Sequence, residues 1–278
     1  MEFWKAIILG IVEGITEFLP VSSTGHLTIT EKLLGLQVDD VGVTAYTAII
    51  QVGAILAAVI YFWRDIVRIV VAFVKGVLSA EGRRHEDWRL SLAVVVGSMP
   101  IVAAGLLGKD LIHGPLRSLW VVAVSLIGWS VVMVFAEYAA TQRRGERDVT
   151  LKDGLIIGLA QCIALIPGVS RSGATISAGL LRDIDRVTAT RLSFFLGIPA
   201  LSAAGVFEAL SATDEVGASV GWGPAVVGTL VSFVVAYASI AWLLKYVARH
   251  SIVVFVWYRV LLGVVLIVAL SAGWLSAT

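Results

Sequence analysis

A chain of 278 residues with 58% hydrophobic side chains, only 15% charged ones and a mean hydropathy of +0.92 is too apolar for a soluble domain. Its net charge of +1 points away from nucleic acid as a partner, and its single cysteine, Cys162, excludes an internal disulfide. What remains is an integral membrane protein made of helices.

The first element is unusual for such a chain. Phe3–Leu19 is helical in pattern yet carries Glu13 and Glu17, and Thr24–Leu34 is too short to cross a hydrocarbon core of ~30 Å. Together they read as a re-entrant helical hairpin over about 3–35, with its tip near Pro20–Ser23. No small-residue cleavage pattern follows the first apolar stretch, so a cleavable signal peptide is not expected. Spans are expected at about 41–63, 90–108 and 118–139, with a long charged loop, Arg64–Arg89, after the first and Pro100 kinking the second. Beyond a second charged loop, Thr141–Asp153, the order recurs: a hairpin at about 154–182, then spans at about 191–210, 222–245 and 251–273.

The recurrence extends to residues. Gly10 and Gly158, Ile15 and Ile163, Ser22 and Ser170, and Gly25 and Gly173 are each 148 positions apart, and Glu13 falls on Gln161. The expected fold is therefore an all-α polytopic membrane protein with an inverted-topology repeat, 1–140 and 141–278, each half a re-entrant hairpin plus three transmembrane helices. Three crossings per half is an odd number, which inverts the second half. Charge gives an independent test: fifteen of the 21 Lys and Arg fall in loops on one side, and four on the other. The positive-inside rule then puts both termini outside. Hairpin one dips in from outside, hairpin two rises from the cytoplasm, and the tips are expected to meet near the midplane.

The chemistry collects at those tips. Glu13 and Glu17, four residues apart, share a helix face. In apolar surroundings they need a cation, a shared proton or a positive ligand group between them. Pro20 ends the helix, and Ser22, Ser23 and Thr24 can cap the next one, whose free N–H groups suit a phosphate. The second tip adds Ser170 and Arg171, and arginine is the better side chain for bidentate phosphate recognition.

EGITEFLPVSSTGH and PGVSRSGATIS resemble the two signature motifs of the bacterial undecaprenyl-diphosphatase family, membrane phosphatases associated with bacitracin resistance. The resemblance implies hydrolysis of undecaprenyl diphosphate to undecaprenyl phosphate and inorganic phosphate, recycling the lipid carrier of peptidoglycan synthesis. It also implies the bacterial cytoplasmic (inner) membrane, with the site open to its outer, periplasmic face. Arg171 would bind phosphate and stabilise transition-state charge. Ser23 leads as nucleophile, with His26 and water as the alternatives. His26 would act as base or acid, or itself take the phosphoryl group. Glu17 would orient or deprotonate a partner. Ser22, Thr24, Ser170, Ser172 and Gly173 would hold the phosphates. Glu13 and Glu17 would hold a divalent cation, Mg or Ca, as the resemblance suggests. A homodimer is a further possible assembly. The rival reading is a transporter or flippase for a polyprenyl phosphate, in which the same residues only bind. Of the remaining polar positions, His85, His113 and His250 read as solvated. Gln51 is a candidate hydrogen-bond partner of hairpin one. Arg259 is open between snorkelling, pairing with an acid and touching the site.

Overall fold

The computed structural model describes residues 1–37, 40–107, 118–211 and 220–277. The loop with Lys109, His113 and Arg117 lies outside the described residues. Among the described residues eleven α-helices follow one another: α1 (Phe3–Thr16), α2 (Ser23–Leu33), α3 (Val41–Tyr61), α4 (Trp63–Leu78), α5 (Asp87–Leu107), α6 (Leu119–Ala139), α7 (Leu151–Ile163), α8 (Arg171–Leu181), α9 (Arg186–Ser211), α10 (Trp222–Val247) and α11 (Val253–Ser271), and no strand occurs. Five of these helices, α3, α5, α6, α10 and α11, are long and apolar enough to cross a membrane, so the chain is a polytopic membrane protein, helical throughout its described residues. The expected span at 191–210 lies within α9, which is not among the five and carries Arg186, Arg191 and Pro199.

The expected loop Arg64–Arg89 begins instead with a helix, α4. Ile69, Ala72 and Gly76 are buried while Val67, Val70, Val71 and Val74 stay exposed. Its charges are spaced so that an amphipathic helix can carry them, and an apolar outer face of this kind suits a membrane interface. Charge density alone cannot distinguish that pattern from a loop.

Two short helix pairs hold the centre. α1, with 14 residues, and α7, with 13, are each about 20 Å long, less than a bilayer core. α1 stops at Thr16, four residues ahead of Pro20. Pro20 has no N–H to offer the Thr16 carbonyl and disfavours helix in the residue before it, so the break begins a turn early. Each short helix packs on a long helix from the other half through paired glycines. A Cβ on Gly10 would stand 2.5 Å from Gly228 O, and one on Gly158 would stand 2.1 Å from Gly97 O. Tyr46 Oη donates to Ala6 O at 2.8 Å, fastening α3 to α1. Behind the first tip, Phe194 packs between Phe18 and Phe62, with ring centroids 5.1 and 5.0 Å away and planes tilted by 45° and 39°.

Several arginines of the charged segments are paired with acids. Arg68 reaches Asp87 at 2.7 Å and Glu146 at 2.6 Å, and Arg191 reaches Asp65 at 2.7 Å and Glu146 at 3.1 Å. Asp153, at the start of α7, lies between Arg144 at 2.5 Å and Arg182 at 2.8 Å. Arg186 pairs with Glu137. These bonds tie the foot of the α7–α8 pair to its neighbours.

Candidate active site

The α1–α2 break turns the chain through Ser22, which has φ 75°, a conformation that L residues rarely adopt. The α7–α8 break does the same at Ser170, also φ 75°. A non-glycine residue held there costs of order 1–3 kcal/mol and persists only where its surroundings over-determine it. The surroundings here are the other tip. Gly168 N donates to Ser22 Oγ at 3.2 Å, and Ser172 Oγ donates to Leu19 O at 2.9 Å. Gly168 itself has φ 98° and approaches Val122 O so closely that a Cβ would stand 2.5 Å from it.

One residue binds both breaks at once. Arg259, fully buried on α11, donates to Pro20 O at 3.2 Å and Gly168 O at 2.9 Å, and also to Ser125 O and Ser130 Oγ on α6. It pairs with no carboxylate among the described residues. Its charge is met by carbonyl dipoles freed where the helices are broken, which is how non-helical backbone is satisfied inside an apolar protein. Of the three readings open to Arg259, contact with the tips is the one observed.

The tips bring Glu17 to the centre. Ser23 Oγ donates to Glu17 Oε2 at 2.7 Å, and Gln51 Nε2 lies 3.5 Å from the same oxygen. Arg171 Nη2, from the second tip, is 3.5 Å from Glu17 Oε1. Arg171 is fixed elsewhere: Nη1 donates to Ser193 O at 2.9 Å, and the guanidinium lies over the Phe18 ring at 5.8 Å. Its Nε is buried without a hydrogen-bond partner among the described residues. A Cβ on Gly197 would stand 2.1 Å from Arg171 Nη1, so glycine is what gives the guanidinium its room.

Glu13 is 1% exposed, and neither carboxylate oxygen has a hydrogen-bond partner among the described residues. A buried, unpartnered carboxylate one helical turn from Glu17 fits a cation, although no cluster of three or more His, Cys, Asp or Glu forms among the described residues. Glu13 and Ser23 line a cavity of about 140 Å³, together with Thr24, Thr28, Thr47 and Gln51. Ser23 is thus both nucleophile candidate and cavity wall.

His26 stands apart from Ser23. Its Nδ1 is 2.7 Å from Ser22 O and its Nε2 is 2.6 Å from Tyr258 Oη. Ser170 and Ser172 are buried, with their hydroxyls 3.2 Å apart, and Gly173 N donates to Ser170 Oγ at 3.2 Å. Thr24 is exposed and Ser22 is buried. The sequence reading brings Arg171 and Ser170 towards Glu17, Ser23 and His26 and gives Gln51 as a hydrogen-bond candidate of hairpin one; in the structure Ser23, Gln51 and Arg171 meet at Glu17, whereas His26 and Ser170 bond elsewhere. It missed Tyr258, Ser193 and Gly197, for which no local motif exists.

The model of the bacitracin resistance protein BacA family matches residues 6–265. The chain is 55% identical over 278 residues to "Undecaprenyl-diphosphatase 3" of Frankia casuarinae, covering 100% of both chains. It is 54% identical to "Undecaprenyl-diphosphatase" of Cutibacterium acnes over 274 residues, covering 96% of each. To the protein of that name from Mycobacterium sp. (strain KMS) it is 46% identical over 279 residues, covering 100% of each.

Proposed function

The chain belongs to the bacitracin resistance protein BacA family, which makes it a membrane undecaprenyl-diphosphatase, and we propose that its reaction is carried by Glu17, Ser23 and Arg171 at the joined hairpin tips. The observation that carries this is one carboxylate holding both other groups, Ser23 at 2.7 Å and Arg171 at 3.5 Å. Ser23 Oγ attacks the terminal phosphorus in line, its proton passes to Glu17 Oε2, and the bridging P–O bond breaks. The electron pair leaves with undecaprenyl phosphate, and water then releases inorganic phosphate from Ser23. Phosphoryl transfer of this kind needs chiefly positioning and charge stabilisation. Arg171, with its unpartnered Nε, supplies the stabilisation, and the α2 N-terminus, which lacks a side-chain cap at Ser22, offers N–H groups to the phosphate.

Glu13 and Glu17 would hold a divalent cation, Mg or Ca. When bound there, the cation would supply positive charge against the diphosphate. The paired contacts of Gly10 with Gly228 and of Gly158 with Gly97, and the equal φ at Ser22 and Ser170, support the reading of an inverted repeat divided near residue 140 with two re-entrant hairpins. The concentration of Lys and Arg in the segments around 64–89, 141–153 and 182–191 favours a cytoplasmic position for them. The site then opens to the outer face of the inner membrane.

The test is phosphate release from a long-chain polyprenyl diphosphate carrying ³²P in its terminal phosphate, with acid quenching to trap labelled protein. Wild type should release phosphate and carry label on Ser23, and Ser23→Ala should lose about 10³-fold or more in turnover with no label. Near-normal turnover in Ser23→Ala would exclude the phosphoserine route.

A further inference from the structure

The Ser22 carbonyl can only accept a hydrogen bond, so His26 Nδ1, 2.7 Å away, carries the proton. In the neutral ring Nε2 is then an acceptor, and the group facing it at 2.6 Å is the Tyr258 hydroxyl, which donates. The two rings stack with centroids 5.5 Å apart and planes 12° from parallel. Tyr258 is on α11 beside Arg259, whose guanidinium fixes both tips, so one helix sets the His26 ring and the backbone under it together.

Ser23 already hands its proton to Glu17, and His26 makes no hydrogen bond to Ser23. That leaves His26 free for the second half of the reaction. We propose that Tyr258 is a positioning residue for that half-reaction: it fixes His26 in the Nδ1–H tautomer with Nε2 as acceptor and marks the place of the hydrolytic water. When water takes the phenol's place at Nε2, its oxygen attacks the phosphorus on Ser23 and its proton passes to Nε2. The Ser23–phosphate bond breaks, and Ser23 Oγ recovers the proton held by Glu17. The imidazolium proton then leaves with the released inorganic phosphate. This inference rests on the phosphoserine route proposed above.

The experiment is a double-mutant cycle of Tyr258→Phe and His26→Gln, read as steady-state turnover and as label trapped on Ser23. Tyr258→Phe keeps the ring and its stacking and removes only the hydroxyl. Expected are a kcat lower by about tenfold with KM within about twofold, more trapped label than wild type, and no further loss from Tyr258→Phe in the His26→Gln background. A wild-type rate for Tyr258→Phe, or losses that multiply in the double variant, would overturn the inference and leave the assignment of His26 standing. A wild-type rate for His26→Gln would remove both. Absence of label from every variant, with turnover retained, would instead strike the phosphoserine route and the inference with it.

Discussion

At Ser170 the hydroxyl turns back to accept from Gly173 N and closes the first turn of α8, whereas at Ser22, with the same φ of 75°, it reaches across to Gly168 N and leaves α2 without a side-chain cap. The same backbone is thus sealed in one hairpin and left receptive in the other. Side chains nine residues earlier differ in the same sense. Gln161 and Glu13 both have unpartnered side-chain atoms and are both buried, at 0% and 1% exposure, but one is neutral and the other carries a carboxylate. A neutral amide loses a hydrogen bond there, while an ionised carboxylate needs a counter-charge. Under the proposed reaction, the second hairpin holds shape and delivers Arg171, and the first binds and breaks the bond.

Exchanging those two residues would break the comparison most severely. Gln161→Glu buries a second carboxylate with no cation beside it, and an apparent stability loss of about 3 kcal/mol or more is expected in detergent thermal unfolding. Glu13→Gln relieves the buried charge, so its thermal stability should hold while stimulation of phosphate release by Mg or Ca, and its loss to a chelator, disappears. If Glu13→Gln keeps the full response to chelator, Glu13 is not a cation ligand.

Much of this contrast is legible in the sequence, because it is written in local chemistry. Glu13, Glu17, Pro20 and the SST run mark a broken helix with charge at membrane depth, and the echo at Gln161 and Ser170–Gly173 marks its counterpart. Long-range consequences are not written there. Arg259 looks like a stray charge in an apolar helix until Pro20 O and Gly168 O are seen to surround it, 239 and 91 positions away. Tyr258 is one aromatic residue among 25 until its hydroxyl meets His26. α4 differs again: its charges keep a helical period, which charge density alone does not distinguish from a loop.

Gly197 sharpens the same contrast with a smaller change. The second hairpin delivers Arg171 only because α9 has no side chain at that point, where a Cβ would be 2.1 Å from Nη1. Gly197→Ala should push the guanidinium off Glu17 and lower kcat by about 10–100-fold, since misplacing a charge by an ångström is enough for that. Alanine is the better helix former, so the thermal midpoint should change little. An equal fall in midpoint and rate would mean that the helix, not the arginine, had been disturbed.

The smallest effect concerns the foot of the second hairpin, where Glu146 accepts from Arg68 at 2.6 Å and Arg191 at 3.1 Å just before α7. Burial pushes the Glu146 carboxyl up, but the hydrogen bond from Arg68 and the charges of Arg191 and Arg68 outweigh it and hold it below the ordinary 4.5. The unfolded chain therefore takes up this proton at a higher pH than the folded one. Stability from the site is fully present above the ordinary value and is lost as pH falls through the lowered one. Thermal midpoints of wild type and Glu146→Gln should accordingly differ by a constant amount from about pH 8 to pH 6 and converge below about pH 4.5. A gap that persisted at the lowest pH would mean that Glu146 holds the foot by packing and not by charge. Because Glu146, Arg68 and Arg191 make no hydrogen bond to Glu17, Ser23 or Arg171 among the described residues, the initial rate near neutral pH should be nearly the same in the two proteins, which separates fastening the second hairpin from reacting at the first.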